Sequence, residues 1–84
     1  MTGALEMLPR VRQLVAMLFH APLEEVTAET SGKTLPRWDS MGHLTLILEL
    51  EQEFFVQLAP EQVDRMTSVG KIVEVLAEIG LRPD

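Results

Sequence analysis

The reading of the chain turns on PRWDSMGHLTLILELEQEF, Pro36 to Phe54. Pro36 and the acid–serine pair Asp39–Ser40 precede apolar residues at helical spacing. This predicts a helix from about Ser40 to Phe55, with Asp39 or Ser40 as its N-cap. On a wheel of about 100° per residue, Leu46, Ile47, Leu50 and Phe54 share one arc that suits a core stripe. Gly42, Thr45, Glu49, Gln52 and Glu53 make the opposite, polar face. Met41, Leu44 and Leu48 form a second apolar stripe, interrupted by Glu51 and headed by Ser40. A carboxylate is costly to bury. The second stripe is therefore expected to be at least partly exposed as a partner surface, unless the last helix or the long loop covers it.

The rest of the chain also reads as helices, and no stretch alternates with period two. A first helix is predicted over roughly Glu6–Phe19, starting near Leu8 so that Pro9 falls in its first turn. Val11, Leu14, Val15 and Leu18 form its buried stripe. A long connection follows, with Val26, Leu35 and Trp38 as candidates to pin it to the core; loops of this length are uncommon and often functional. Pro60 opens a short third helix, PEQVDR, and Thr67 or Ser68 caps a fourth carrying Val69, Ile72, Val73, Leu76 and Ile79. Gly80 is expected to end that helix, with Pro83 preventing a restart. The fold class is all-α: a four-helix bundle with three longer helices, one short third helix and a long first loop. It makes one domain over residues 1–84, with its core from about residue 6 to 80.

Composition narrows the function. The chain has 84 residues, 46% of them hydrophobic, and a net charge of −6. An acidic balance argues against nucleic acid, which calls for a basic footprint. No apolar run reaches bilayer length, and the first residues lack the apolar block of a signal peptide. A cytoplasmic monomer without membrane contact is expected. There is no Cys, hence neither disulfide nor thiolate metal site. His20 and His43 alone are too few for zinc without carboxylates.

Three motifs compete for a chemical role. SGKT, Ser31–Thr34, has the ending of a phosphate-binding loop, but Thr27 stands where the required glycine should be and no strand precedes it. Asp39, Ser40 and His43 hold the side chains of a hydrolase triad. An acid adjacent to the serine is badly placed to orient an imidazole one turn further on, and so small a chain has little cleft for a substrate. Taken alone, Asp39–Ser40 is most simply a helix cap.

The wider pattern changes that reading. RVRQLV (Arg10–Val15), LEEVTAETS (Leu23–Ser31), DSMGHLTLILELEQEF (Asp39–Phe54) and MTSVGKIVEVL (Met66–Leu76) resemble, in order and spacing, the acyl carrier protein family. Against carriers of bacterial fatty-acid synthesis the chain aligns without a gap from Arg10 to about Leu76. The resemblance implies that Ser40 is the attachment point of 4′-phosphopantetheine, delivered from coenzyme A by a phosphopantetheinyl transferase, and that the protein is not itself an enzyme. Asp39 precedes the serine as in the family. Met41 stands where Leu is usual, as in D-alanyl carriers. His43 is expected to pack beside the arm without catalysing.

The same resemblance implies that Met41, Leu44, Leu48 and Glu51 face partner enzymes. It places Ile47, Leu50, Phe54, Leu58, Val63 and Met66 around an acyl-chain pocket, positions that plain core packing explains equally well. Other implied partners are an acyl- or aminoacyl-loading ligase or acyltransferase, and downstream condensing or transfer enzymes. Gly42, Thr45 and Gln52 replace residues usually acidic in housekeeping carriers, and Gly32, Lys33 and Trp38 also depart from them. These departures point to a specialised pathway: polyketide, nonribosomal peptide or aminoacyl. The starting Met and the lack of linker tails suggest a freestanding carrier. The alternative is a small helical adaptor in which Ser40 only caps the helix.

Overall fold

The computed structural model describes residues 4–79, with side chains from Met7 onward. Four helices run in order: α1 (Ala4–Phe19), α2 (Ser40–Phe54), α3 (Pro60–Arg65) and α4 (Val69–Ile79), with a single 3-10 turn at Leu23–Glu25 after α1. The described residues include no β-strand. The expected arrangement of three longer helices, a short third and a long first loop is what forms. The expected stop at Gly80 and Pro83 lies outside the described residues.

Two expectations about element ends need correction. The first helix begins at Ala4, so Pro9 sits inside it. Its ring costs the Leu5 carbonyl an intrahelical partner, while Met7 just before it is fully buried and holds the first turns to the core. At the other end of the bundle, Ile79 is 38% exposed, and Val75 takes part in the core instead. A helix wheel cannot foresee where the neighbouring helix stops covering the stripe.

The core is built from one stripe of each long helix. Val11, Leu14 and Val15 come from α1, Leu46, Ile47, Leu50 and Phe54 from α2, and Val69, Ile72, Val73, Val75 and Leu76 from α4. Helix α1 packs chiefly on α4. Met66 closes the gap between α3 and α4, and Leu18 packs against the cluster from its edge. Burying each such side chain contributes about 1.5–3 kcal/mol, which makes this set the source of the fold's stability.

The long loop is held by its own backbone as much as by apolar anchors. Val26 and Trp38 are buried and Leu35 partly so. Arg12 reaches from α1 to donate to the Val26 and Leu23 carbonyls. The first N–H groups of a helix have no intrahelical partner. In α4 the Val69 and Gly70 amides bond instead to loop carbonyls, Thr30 at 3.0 Å and Ala28 at 2.8 Å. An isolated bridge pairs Ser31 with Ser68, and the Ser68 hydroxyl caps Lys71 N at 3.2 Å. The phosphate-loop look-alike SGKT is a turn: Thr34 N and Thr34 Oγ1 both bond the Ser31 carbonyl, each at 3.0 Å.

Candidate functional site

Helix α2 starts at Ser40, and the side chain that caps it belongs to Asp39. The Asp39 Oδ1 accepts from Gly42 N at 2.8 Å, and the Asp39 carbonyl accepts from His43 N at 2.8 Å. Of the two candidate caps, the acid does the capping. Ser40 is exposed and its hydroxyl makes no hydrogen bond among the described residues. It occupies the first helical position with no structural duty. The Ser40 and Met41 amides are the remaining donors of that turn, at the positive end of the helix dipole.

One wall beside the serine is an aromatic stack. Trp38 is 6% exposed, with Phe19 at 5.5 Å and His43 at 6.2 Å between ring centroids. The Trp38 indole N–H donates to His43 Nδ1 at 3.0 Å. An indole nitrogen can only donate, so Nδ1 is the accepting nitrogen and Nε2 carries the proton, donated to the Val63 carbonyl at 3.1 Å. His43 thereby ties the loop, α2 and α3 together. Ser40, Asp39, Trp38, His43, Val63 and Thr67 face an open cleft of about 540 Å³.

This geometry disposes of the hydrolase triad. The Asp39 carboxylate is spent on Gly42, and both His43 nitrogens are committed to Trp38 and Val63, so neither is aligned to activate Ser40. Among the described residues, no three His, Cys, Asp or Glu side chains cluster to hold a metal. No helix there is long and apolar enough to cross a membrane.

The second stripe of α2 is open: Met41, Leu44 and Leu48 are 73%, 58% and 55% exposed. Neither the last helix nor the loop covers it. Glu51 at its lower end is half-buried, and its carboxylate accepts from Leu58 N at 2.9 Å, bracing the turn after α2. Sequence reasoning missed Phe55, which is 92% exposed in the left-handed region at φ 56° and ends α2. It lies seven residues beyond Leu48, a spacing that could have flagged it. Of the six residues assigned to an acyl pocket, Ile47, Leu50, Phe54 and Met66 are buried in the core, while Leu58 and Val63 pack at its edge.

The polar face drawn for α2 is only partly solvent. Glu53 pairs with Arg10 of α1, whose guanidinium lies 5.0 Å over the Phe54 ring. Gly42 is half-buried. A Cβ placed there would meet the Arg37 carbonyl oxygen at 2.2 Å and the Phe19 ring at 2.9 Å. The position faces the loop backbone, and glycine is there for want of room.

Fold and site together define a class: a small helical bundle that presents an unencumbered serine hydroxyl at a helix start, beside a cleft and an exposed apolar stripe. No family model matches the chain. It is 29% identical over 73 residues to a curated protein of Rubrobacter xylanophilus named acyl carrier protein, spanning 87% of this chain and 90% of that protein. The chain is thus similar, over most of its length, to a protein of that name.

Proposed function

We propose that the chain is an acyl or aminoacyl carrier protein that tethers thioester intermediates on a 4′-phosphopantetheine arm at Ser40 and presents them to partner enzymes. The observation that carries this reading is the exposed Ser40 hydroxyl, relieved of capping by Asp39, at the place where the family resemblance sets the attachment point. In the loading step, Ser40 Oγ bonds to the β-phosphorus of coenzyme A. The pyrophosphate linkage breaks, 3′,5′-adenosine bisphosphate leaves, and the serine proton passes to a base of the transferase. The protein needs no base of its own, because the transferase and its metal supply activation. The phosphodiester suits the Ser40 and Met41 amides and the helix dipole. When attached, the arm supplies a terminal thiol, which the Cys-free chain lacks.

Asp39, Met41 and His43 flank the root of the arm, with His43 a wall and not a catalyst. Met41, Leu44, Leu48 and Glu51 form the face for the transferase, for an acyl- or aminoacyl-loading ligase or acyltransferase, and for downstream condensing or transfer enzymes. Should a cargo carry an alkyl chain, Ile47, Leu50, Phe54, Leu58, Val63 and Met66 are the walls that would part to admit it. The reduced acidity of α2 and the bulk of Trp38 favour a specialised pathway; a monomer working in the cytoplasm completes the proposal. Tethering raises the effective concentration of the intermediate at each partner.

Incubation with coenzyme A and a promiscuous phosphopantetheinyl transferase tests the reading. The intact mass should rise by one phosphopantetheine in the wild type and stay unchanged in Ser40→Ala. An unchanged wild-type mass, under conditions that load a control carrier, refutes it. That outcome would favour the alternative, a small helical adaptor in which Ser40 has no chemical role; the cap of the helix is Asp39 in either case.

A further inference from the structure

We infer that α3 is a flap hinged on α4 and latched to α2, and that His43 and Glu51 are the positioning residues of the latch. The inference deepens the carrier reading, on which the latched cleft is the place where the arm is rooted.

Helix α3 has six residues, none of them buried. So short a helix does not hold its shape alone. Its one apolar contact with the core is Val63, and Leu58 just before the helix packs at the same edge. Side-chain hydrogen bonds supply much of the rest. From α2, His43 Nε2 donates to the Val63 carbonyl at 3.1 Å, and Glu51 Oε2 accepts from Leu58 N at 2.9 Å. From α4, Glu78 accepts twice from Arg65, at 2.8 and 2.6 Å.

The two sides are not held alike. Towards α4 the helix lies against its neighbour, and Met66, directly after α3, is fully buried. Towards α2 the connection is residues 55–59, which form no helix, and the His43 and Glu51 bonds close it. A segment with few buried contacts opens at a lower free energy than the core. The hinge is therefore at Met66, and the α2 bonds are what opening must break.

Trp38 sets the latch. Its indole donates to His43 Nδ1 at 3.0 Å, which puts the proton of the neutral ring on Nε2, facing Val63 as a donor. One imidazole thus joins two walls of the cleft beside Ser40, Trp38 on the loop side and Val63 on the α3 side. Val63 also packs against the core cluster. It stands between cleft and core, so releasing α3 from α2 joins the two.

Native-state hydrogen exchange on the unmodified protein tests the flap. In the wild type the α3 amides should exchange through an easier opening than those of Val73 and Leu76 in α4. Ile72→Val, a core change, should speed α4 and leave α3 alone. His43→Asn, whose amide stops at the position of Nδ1, and Glu51→Ala should each speed α3 exchange about two- to tenfold, the ratio that one net hydrogen bond corresponds to. His43→Gln, whose amide nitrogen takes the position of Nε2, and Glu51→Gln should restore the wild-type rate. Trp38 emission should show the reverse order for His43, moving in the Gln variant and holding in the Asn variant. A common opening for α3 and α4, with Ile72→Val speeding both equally, overturns the inference, as does wild-type α3 exchange in both His43→Asn and Glu51→Ala. None of these measurements needs the prosthetic group, so a chain that takes up no phosphopantetheine overturns the carrier reading and leaves the latch to stand or fall on exchange.

Discussion

Replacing Gly42 by alanine asks whether the start of α2 is packed as tightly against the loop as the structure shows. At an ordinary helix position the change stabilises, by up to about 1 kcal/mol, because alanine is the better helix former. Here the added Cβ falls 2.2 Å from the Arg37 carbonyl oxygen, far inside the 3.4 Å at which ordinary contact begins, and 2.9 Å from the Phe19 ring. The phenyl ring can turn aside, but the carbonyl belongs to the backbone leading into Trp38 and Asp39 and cannot. Forcing it away falls toward the upper end of the ~1–3 kcal/mol typical of overpacking. After the propensity gain is subtracted, a net destabilisation of about 1–2 kcal/mol remains. For a domain of this size that lowers Tm by about 4–16 °C. Thermal unfolding followed by circular dichroism reads it, with Thr45→Ala as the control, since Thr45 is exposed on the same helix. Emission from Trp38, the only tryptophan, should shift in Gly42→Ala as the loop is pushed out. A Gly42→Ala protein as stable as the wild type, or more so, would refute the close approach of loop and helix.

Three further changes probe the same surfaces. His43→Ala removes the acceptor of the Trp38 N–H and the donor to the Val63 carbonyl; urea unfolding should show a loss of about 1–3 kcal/mol, while Ser40 still takes up its arm, and complete loss of loading would mean that the imidazole takes part. Phe55→Gly exchanges a left-handed, 92% exposed phenylalanine for the residue that tolerates φ above zero; it should raise stability by up to about 1 kcal/mol, and a clear fall in Tm would show that the ring packs. The Arg65 guanidinium, through two hydrogen bonds to Glu78, holds that carboxyl below its ordinary value. A depressed folded value means that the pair stabilises at neutral pH and that its contribution disappears as pH falls through the acid range. Both side chains are exposed, so Glu78→Gln should flatten the acid limb of a Tm-against-pH curve only slightly, and less still in high salt; a large effect would place the pair in a less solvated setting.

Much of this was readable before any coordinates. Spacing placed the α2 core stripe on Leu46, Ile47, Leu50 and Phe54, and the same four are buried, because a helix has one period and a stripe has one direction in which to hide. The run from Pro60 to Arg65 and the exposed stripe of Met41, Leu44 and Leu48 were legible for the same reason. The carboxylate of Glu51 marked a face that the core would not take. The pair Asp39–Ser40 was legible as a helix start, though not which member capped it.

What tertiary structure decided is where one segment meets another. Sequence could not say that Asp39 takes the Gly42 amide and leaves Ser40 idle, because both residue types cap equally well in isolation. Nor could it say that Gly42 lies against the Arg37 carbonyl when the wheel gave it to solvent, that His43 joins Trp38 to Val63, or that the loop carbonyls of Ala28 and Thr30 satisfy the first amides of α4. Local periodicity selects helices and their apolar faces through interactions a few residues apart. Packing loop on helix depends on backbone groups that every residue carries alike, and their partners are chosen only when the whole chain closes.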